Sequence, residues 1–155
     1  MLTLLRTNSD NVDFKKLIKK LDAYLKITDG DEHDFYNQYN NINVIKYVVV
    51  AYSDNLAVGC GAIKAYDDNA SEIKRMFTDS DFRQKGIASK ILTELEQWSK
   101  ELGFTSCILE TGINQKAAIK LYRHKGYKDI PNYGPYINAL NSLCFKKEFI
   151  SYEKR

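Results

Sequence analysis

The sequence predicts an α/β fold: a single mixed, mostly antiparallel central sheet flanked by helices. Three observations carry this. Strand-like runs at Tyr47 to Tyr52, Leu56 to Tyr66 and Glu72 to Thr78 are separated by Asp54-Asn55 and Asp67-Asp68-Asn69, the punctuation of an antiparallel meander. Apolar residues recur at helical spacing before that meander and after it. The segment Gly86 to Leu102 reads as a helix lying between two strands, which makes one strand–helix–strand crossover.

Taken in order, Met1 to Thr7 reads as a first strand. Asp10-Asn11 can cap a helix in which Phe14, Leu17, Ile18, Leu21, Tyr24 and Leu25 share a face, and Thr28-Asp29-Gly30 ends it. Asp31 to Tyr39 reads as a second, short helix. In the meander, Gly59 and Gly61 stand two apart on one face, which marks a bulge or a close backbone approach. The helix from Gly86 is expected to bury Ile87, Ile91, Leu95, Trp98 and Leu102, with Gly103 at the position that ends a helix. Cys107 to Thr111 is a short buried strand. Asn114 is expected to cap a helix that carries Ala117, Ala118, Leu121 and Tyr122 and ends at Gly126. Asn132 to Pro135 is a loop, and Ser142 to Ile150 a closing strand.

The 155 residues read as one domain, 1–155, with no repeat or linker. A net charge of +3, with lysines spread among acids, lacks the basic footprint of a nucleic-acid binder. The run Lys15-Lys16 with Lys19-Lys20 reads as a solvated helix face. No apolar run approaches membrane-spanning length, and Met1 to Leu5 lacks the pattern of a signal peptide. Cys60, Cys107 and Cys144 are odd in number, have no metal-ligand spacing and sit in apolar runs. They predict buried reduced thiols, a cytoplasmic location and no metal site.

Arg83-Gln84-Lys85-Gly86-Ile87-Ala88 joins a strand to an amphipathic helix. A small-residue loop there lets backbone N–H groups approach an anion, and the helix aims its positive end at the same point. The pattern (Arg or Gln)-x-x-Gly-x-(Gly or Ala) resembles the coenzyme A loop of the GNAT acetyltransferase superfamily. A second stretch, Asn114-Gln115-Lys116-Ala117 through Leu121-Tyr122-Arg123-His124-Lys125-Gly126-Tyr127, resembles that family's Asn-x-x-Ala…Leu-Tyr-x-x-x-Gly-(Phe or Tyr) block. The element order also matches the family's fold.

The resemblance implies a cytoplasmic N-acetyltransferase that uses acetyl-coenzyme A, with a sheet splayed between its fourth and fifth strands. Backbone groups of Met76, Phe77 and Thr78 would pair with the pantetheine arm. Arg83, Gln84, Lys85, Gly86, Ile87, Ala88 and Ser89 would hold the pyrophosphate, mainly through main-chain N–H groups. Asn114 and Ala117 would meet the pantetheine arm from the following helix. Thr78 stands where the family more often has an aliphatic residue, and Ala88 where it more often has Gly.

Tyr122, in its family context, would protonate the leaving thiolate and also touch the cofactor. A core aromatic is the plain alternative. Glu72, eleven residues before Arg83, would be the general base that deprotonates the acceptor amine. Against it stands a surface strand Glu paired with Lys74 or Arg75. Asp31 and Glu32, in the acidic run Asp29 to Asp34, would draw a cationic acceptor, or else only cap a helix. Tyr133 and Tyr136 would line the acceptor pocket, or pack on the sheet. His33 is a further base candidate, His124 reads as structural, and Cys144 as a small strand hydrophobe. The acceptor that the resemblance implies is a primary amine on a small molecule or peptide. Family members are often dimers, so an exposed sheet edge is a candidate homodimer contact. A non-catalytic acyl-coenzyme A binding module is the rival reading, and a nucleotide-binding protein is disfavoured by the missing phosphate-loop motifs.

Overall fold

The computed structural model describes residues 1–32 and 45–149. Seven strands form one hydrogen-bonded sheet in the order β1-β2-β3-β4-β5-β7-β6. They are β1 Leu2–Thr7, β2 Tyr47–Ser53, β3 Leu56–Ala65, β4 Ala70–Thr78, β5 Ser106–Gly112, β6 Lys128–Ile130 and β7 Ser142–Glu148. The α-helices among the described residues are α1 Val12–Asp29, α2 Ile87–Glu101 and α3 Lys116–His124. The chain divides into two compact units, Met1–Lys64 with Ile73–Leu95 and Ala65–Glu72 with Glu96–Arg155.

In the first unit, β1 and β2 run antiparallel, as do β2 and β3. Asp54 and Asn55 take φ of 49° and 72°, the left-handed pair that a tight β2–β3 hairpin demands. Asn11 caps α1: its side chain accepts from the Phe14 N–H at 2.9 Å. Phe14, Leu17, Ile18 and Leu21 are buried against Val48, Val50 and Ala62, while Lys15, Lys16, Lys19 and Lys20 are exposed, the expected solvated face. Gly59 and Gly61 mark a close approach. A Cβ on Gly59 would meet Ile91 Cδ1 at 3.0 Å, and one on Gly61 would meet Met76 Sδ at 2.5 Å and Leu95 Cδ1 at 2.8 Å. The β2–β3 register also shifts between Ala51 and Tyr52.

In the second unit, β4 pairs with β5 in parallel through Ala70–Glu72 against Ser106–Ile108. That ladder ends at Glu72 and Ile108, while β4 runs on to Thr78 and β5 to Gly112. β7 runs antiparallel to β5 and to the three-residue β6, a strand that sequence reading missed for its shortness.

Several expectations shift. The buried face of α2 is rotated: Trp98 is only half-buried and Leu102 is exposed, whereas Leu92, Glu96 and Ser99 are buried. Glu96 accepts from the Tyr127 hydroxyl at 2.8 Å and pairs with Lys147 at 3.0 Å, so a polar cluster occupies positions that hydrophobicity alone assigned elsewhere. Asn114 is not the cap of α3. That position is Gln115, whose side chain makes no capping hydrogen bond. β3 ends at Ala65 and β7 at Glu148. The helix expected over Asp31 to Tyr39 lies, from His33 on, outside the described residues, as does Ile150. Among the described residues no helix is long and apolar enough to cross a membrane.

The glycine packing yields a test. Gly61→Ala forces a methyl into a space already filled by Met76, Leu95 and Ile91. It should destabilise the protein by about 1–3 kcal/mol. A lower denaturation midpoint at unchanged slope checks this, and an unchanged midpoint refutes it.

Candidate active site

In the first unit, the end of β4 leads directly into the anion-loop residues. Met76 and Thr78 are half-buried and Phe77 is buried. Asp79 caps the short turn Ser80–Phe82, accepting from the Asp81 N–H, and pairs with Lys20 of α1 at 2.6 Å. That hydrogen bond with Lys20 is the main reason the Asp79 carboxyl is held below its ordinary range. Arg83 donates from Nε to the Thr78 carbonyl at 3.1 Å, and its guanidinium lies 5.2 Å from the Tyr24 ring centre. Lys85 sits 5.4 Å from the Phe82 ring.

The loop Arg83–Gly86 is exposed. Gln84 and Gly86 take φ of 64° and 77°. The Gly86 carbonyl accepts from the Lys90 N–H at 3.1 Å, so the first α2 hydrogen bond starts at that glycine. The N–H groups of Ile87, Ala88 and Ser89 then have no partner within the helix and carry its positive end. Such a terminus next to an exposed loop can hold an oxyanion. An added Cβ on Gly86 would meet nothing within 4 Å, so its left-handed backbone, not space, favours glycine.

The second unit holds the acid–base candidates. Glu72 is buried, with 6% of its surface exposed, which removes the reading of a surface carboxylate paired with Lys74 or Arg75. Its partner is Tyr133, whose hydroxyl donates to Glu72 Oε2 at 2.7 Å. Burial first, and the Glu72 charge second, push the Tyr133 phenol well above its usual range. Tyr133 meets Tyr66 and Tyr136 edge-on, at 5.1 and 5.8 Å between ring centres. Tyr136 is buried and Tyr133 half-buried. Tyr133 is thus placed on a candidate catalytic group.

Tyr122 is positioned by the way α3 ends. Gly126 takes φ of 94°, the Tyr127 N–H returns to the Tyr122 carbonyl at 2.9 Å, and the Gly126 N–H to Arg123 at 3.2 Å. This paired closure brings the Tyr122 and Tyr127 rings to 5.7 Å. The Leu-Tyr-x-x-x-Gly-Tyr pattern is thus the signature of a left-handed helix end that anchors Tyr122. The ring is 5% exposed and 6.4 Å from Phe145. Burial, then the charge of Glu110, raise its hydroxyl pKa above the usual phenol value. Asn114 and Ala117, at the other end of α3, are exposed.

Asp31 and Glu32 lie in a short 3-10 turn over Gly30–Glu32, with Glu32 exposed, and His33 lies outside the described residues. The three cysteines are free and buried. Burial pushes the Cys60 thiol to about 12 and Cys144 to about 11, values that suit inert core thiols rather than nucleophiles. Among the described residues no three His, Cys, Asp or Glu side chains gather as a metal site. Sequence reasoning missed the Tyr133–Glu72 bond, which spans sixty-one residues. It also missed the buried side chain of Arg75, whose only signal is a charge inside an apolar strand.

The acetyltransferase (GNAT) family profile matches residues 15–127. An IAA acetyltransferase of Azospirillum brasilense is 31% identical over 134 residues, covering 85% of this chain and 88% of that protein. A solved acyl-CoA N-acyltransferase from Klebsiella pneumoniae superposes with a TM-score of 0.81 at 29% identity, over 97% of this chain and 99% of that one. The PaiA N-acetyltransferase of Thermoplasma acidophilum, solved with coenzyme A, gives 0.72 at 17% identity over 96% and 99% of the two chains, a likeness of fold. On the profile match and that sequence identity, the chain belongs to the acetyltransferase (GNAT) family and is an acetyl-CoA-dependent acyltransferase.

Proposed function

We propose that residues 1–155 work as one catalytic domain that moves the acetyl group of acetyl-CoA directly onto a primary amine of a small molecule or peptide. The observation that carries this reading is the exposed Arg83–Gly86 loop at the N-terminus of α2, following a β4 that runs on past its ladder with β5. The loop amides and the helix end suit a pyrophosphate, with Arg83 and Lys85 adding charge. The free edge of Met76–Thr78 suits the amides of a pantetheine arm. Three buried free thiols support a reducing, cytoplasmic setting.

In the transfer, the acceptor ammonium first loses a proton to Glu72, directly or through water. The neutral nitrogen attacks the thioester carbonyl carbon, the C–S bond breaks, and the nitrogen releases its second proton to solvent as the amide forms. The departing sulfur takes a proton from the Tyr122 hydroxyl, and the phenolate is reprotonated from solvent. Holding both reactants in one place supplies much of the rate, and the acid and base supply the remainder. Tyr133, fixed to one oxygen of Glu72, leaves the other oxygen for the proton.

Following thiol release with an amine panel tests the transfer itself. Amine-dependent release supports it; tight acetyl-CoA binding with no release from any amine favours a binding module. Tyr122→Phe should lower kcat by about 10²–10⁴-fold while leaving acetyl-CoA affinity nearly unchanged. Unchanged turnover would reject the acid role. Because the Tyr122 pKa is raised, its phenol stays protonated throughout the usual assay range. The rate profile should therefore show no alkaline fall from this group below about pH 10, the ordinary phenol value. Glu72→Gln should depress kcat by about 10²–10⁴-fold, and unchanged turnover removes Glu72 from the mechanism.

A further inference from the structure

Among the described residues, the buried side-chain atoms with no hydrogen-bond partner are Arg75 Nε, Arg75 Nη1 and Thr78 Oγ1. All three lie on β4, in the stretch beyond its pairing with β5. Arg75 uses one nitrogen: Nη2 donates to Asp22 Oδ1 of α1 at 2.5 Å. Its side chain is 2% exposed, whereas that of Asp22 is 42% exposed, so the pair lies just beneath the surface. Arg75 also takes a φ of 58°, outside extended geometry, and its carbonyl accepts from Cys60 Sγ at 3.5 Å.

A guanidinium is a planar fork of five donors suited to oxyanions. Buried with most of that fork unmet, it costs the fold free energy that one ion pair with a half-exposed aspartate does not explain. We propose that Arg75 binds a carboxylate on the acceptor, so that the acetylated amine is itself an acid, of the amino-acid class. This rests on the transfer reading above. The anions of acetyl-CoA have their own place at the Arg83 loop, at the far end of Met76–Thr78. Arg75 stands at the opposite end of that run, where the thioester and the acceptor would meet. The Thr78 hydroxyl adds an unmet polar group on the same strand. A carboxylate satisfies the open donors of Arg75, and holding the acid end of the acceptor fixes the direction from which its amine approaches.

The test compares matched acceptors: the twenty standard amino acids, their carboxamides and the corresponding decarboxylated amines. In the wild type, at least one amino acid should exceed both its neutral-ended counterparts in kcat/KM by about 10–100-fold, the scale of a charge-assisted hydrogen bond to a desolvated group. Arg75→Gln should erase that preference by raising the KM for the acid, with the KM for acetyl-CoA unchanged. Arg75→Lys should restore part of it. Wild-type turnover of plain amines and carboxamides as fast as acids would overturn the proposal while leaving the transfer reading intact. So would an equal loss across all three acceptor types in Arg75→Gln.

Because Arg75→Gln is a core change, a second arm uses the unaltered protein. N-acetyl amino acids should raise its Tm more than their carboxamides do, in the presence of coenzyme A. Equal shifts would overturn the proposal. If no amine is acetylated, the transfer reading fails and the Tm arm alone decides the fate of the carboxylate site.

Discussion

The seating of α2 on β3 is the constraint on which the loop Arg83–Gly86 and the helix start after it depend. Two glycines, Gly59 and Gly61, remove side chains where Ile87, Ile91 and Leu95 press against the strand. A helix held that closely has little freedom to slide or roll. Its first turn, and the exposed loop before it, are therefore fixed to the strand that precedes them. Dispersion contacts at this distance are individually weak, but a backbone-to-side-chain fit of this kind is intolerant of even one added methyl.

α1 reinforces the same arrangement by chemistry rather than shape. Lys20, Asp22 and Tyr24, on successive alternate positions, reach Asp79, Arg75 and Arg83. One helix thus holds the end of β4, the turn after it and the first residue of the anion loop. The contacts on Asp79 and Arg83 are partly solvated and modest in energy. Their value lies in orientation: Arg83 is held by a carbonyl and an aromatic ring with its charge still at the surface.

The parts of the molecule that were legible in the sequence are those whose determinants are local. The hairpin at Asp54-Asn55, the Asn11 cap, the Gly86 helix start and the Gly126 helix end are each written in a few neighbouring residues. The exposed loop before α2 was legible for that reason. What was not legible depends on partners far along the chain. The bond from Tyr133 to Glu72 cannot be read from either segment alone. The rotated face of α2 has the same origin: Glu96 is buried because Tyr127 and Lys147 come to meet it. Asn114 was the reverse error, a good capping residue one position too early, since Gln115 holds that place. Arg75 was visible only as an odd charge, because burial and the lack of partners are properties of the folded chain.

The smallest strand has an outsized bearing on how this protein meets its neighbours. β6 closes one border of the sheet with three residues, Lys128, Asp129 and Ile130, and Asp129 is already held by Arg123 at 3.0 Å. A foreign strand arriving there would find too short a ladder to zip along, and two charges it would have to strip of water. A border so short and charged is a poor template for an added strand. The other border is β1, six residues long and already paired along one side with β2. Among the described residues, β1 is therefore the border with the longer ladder to offer an added strand.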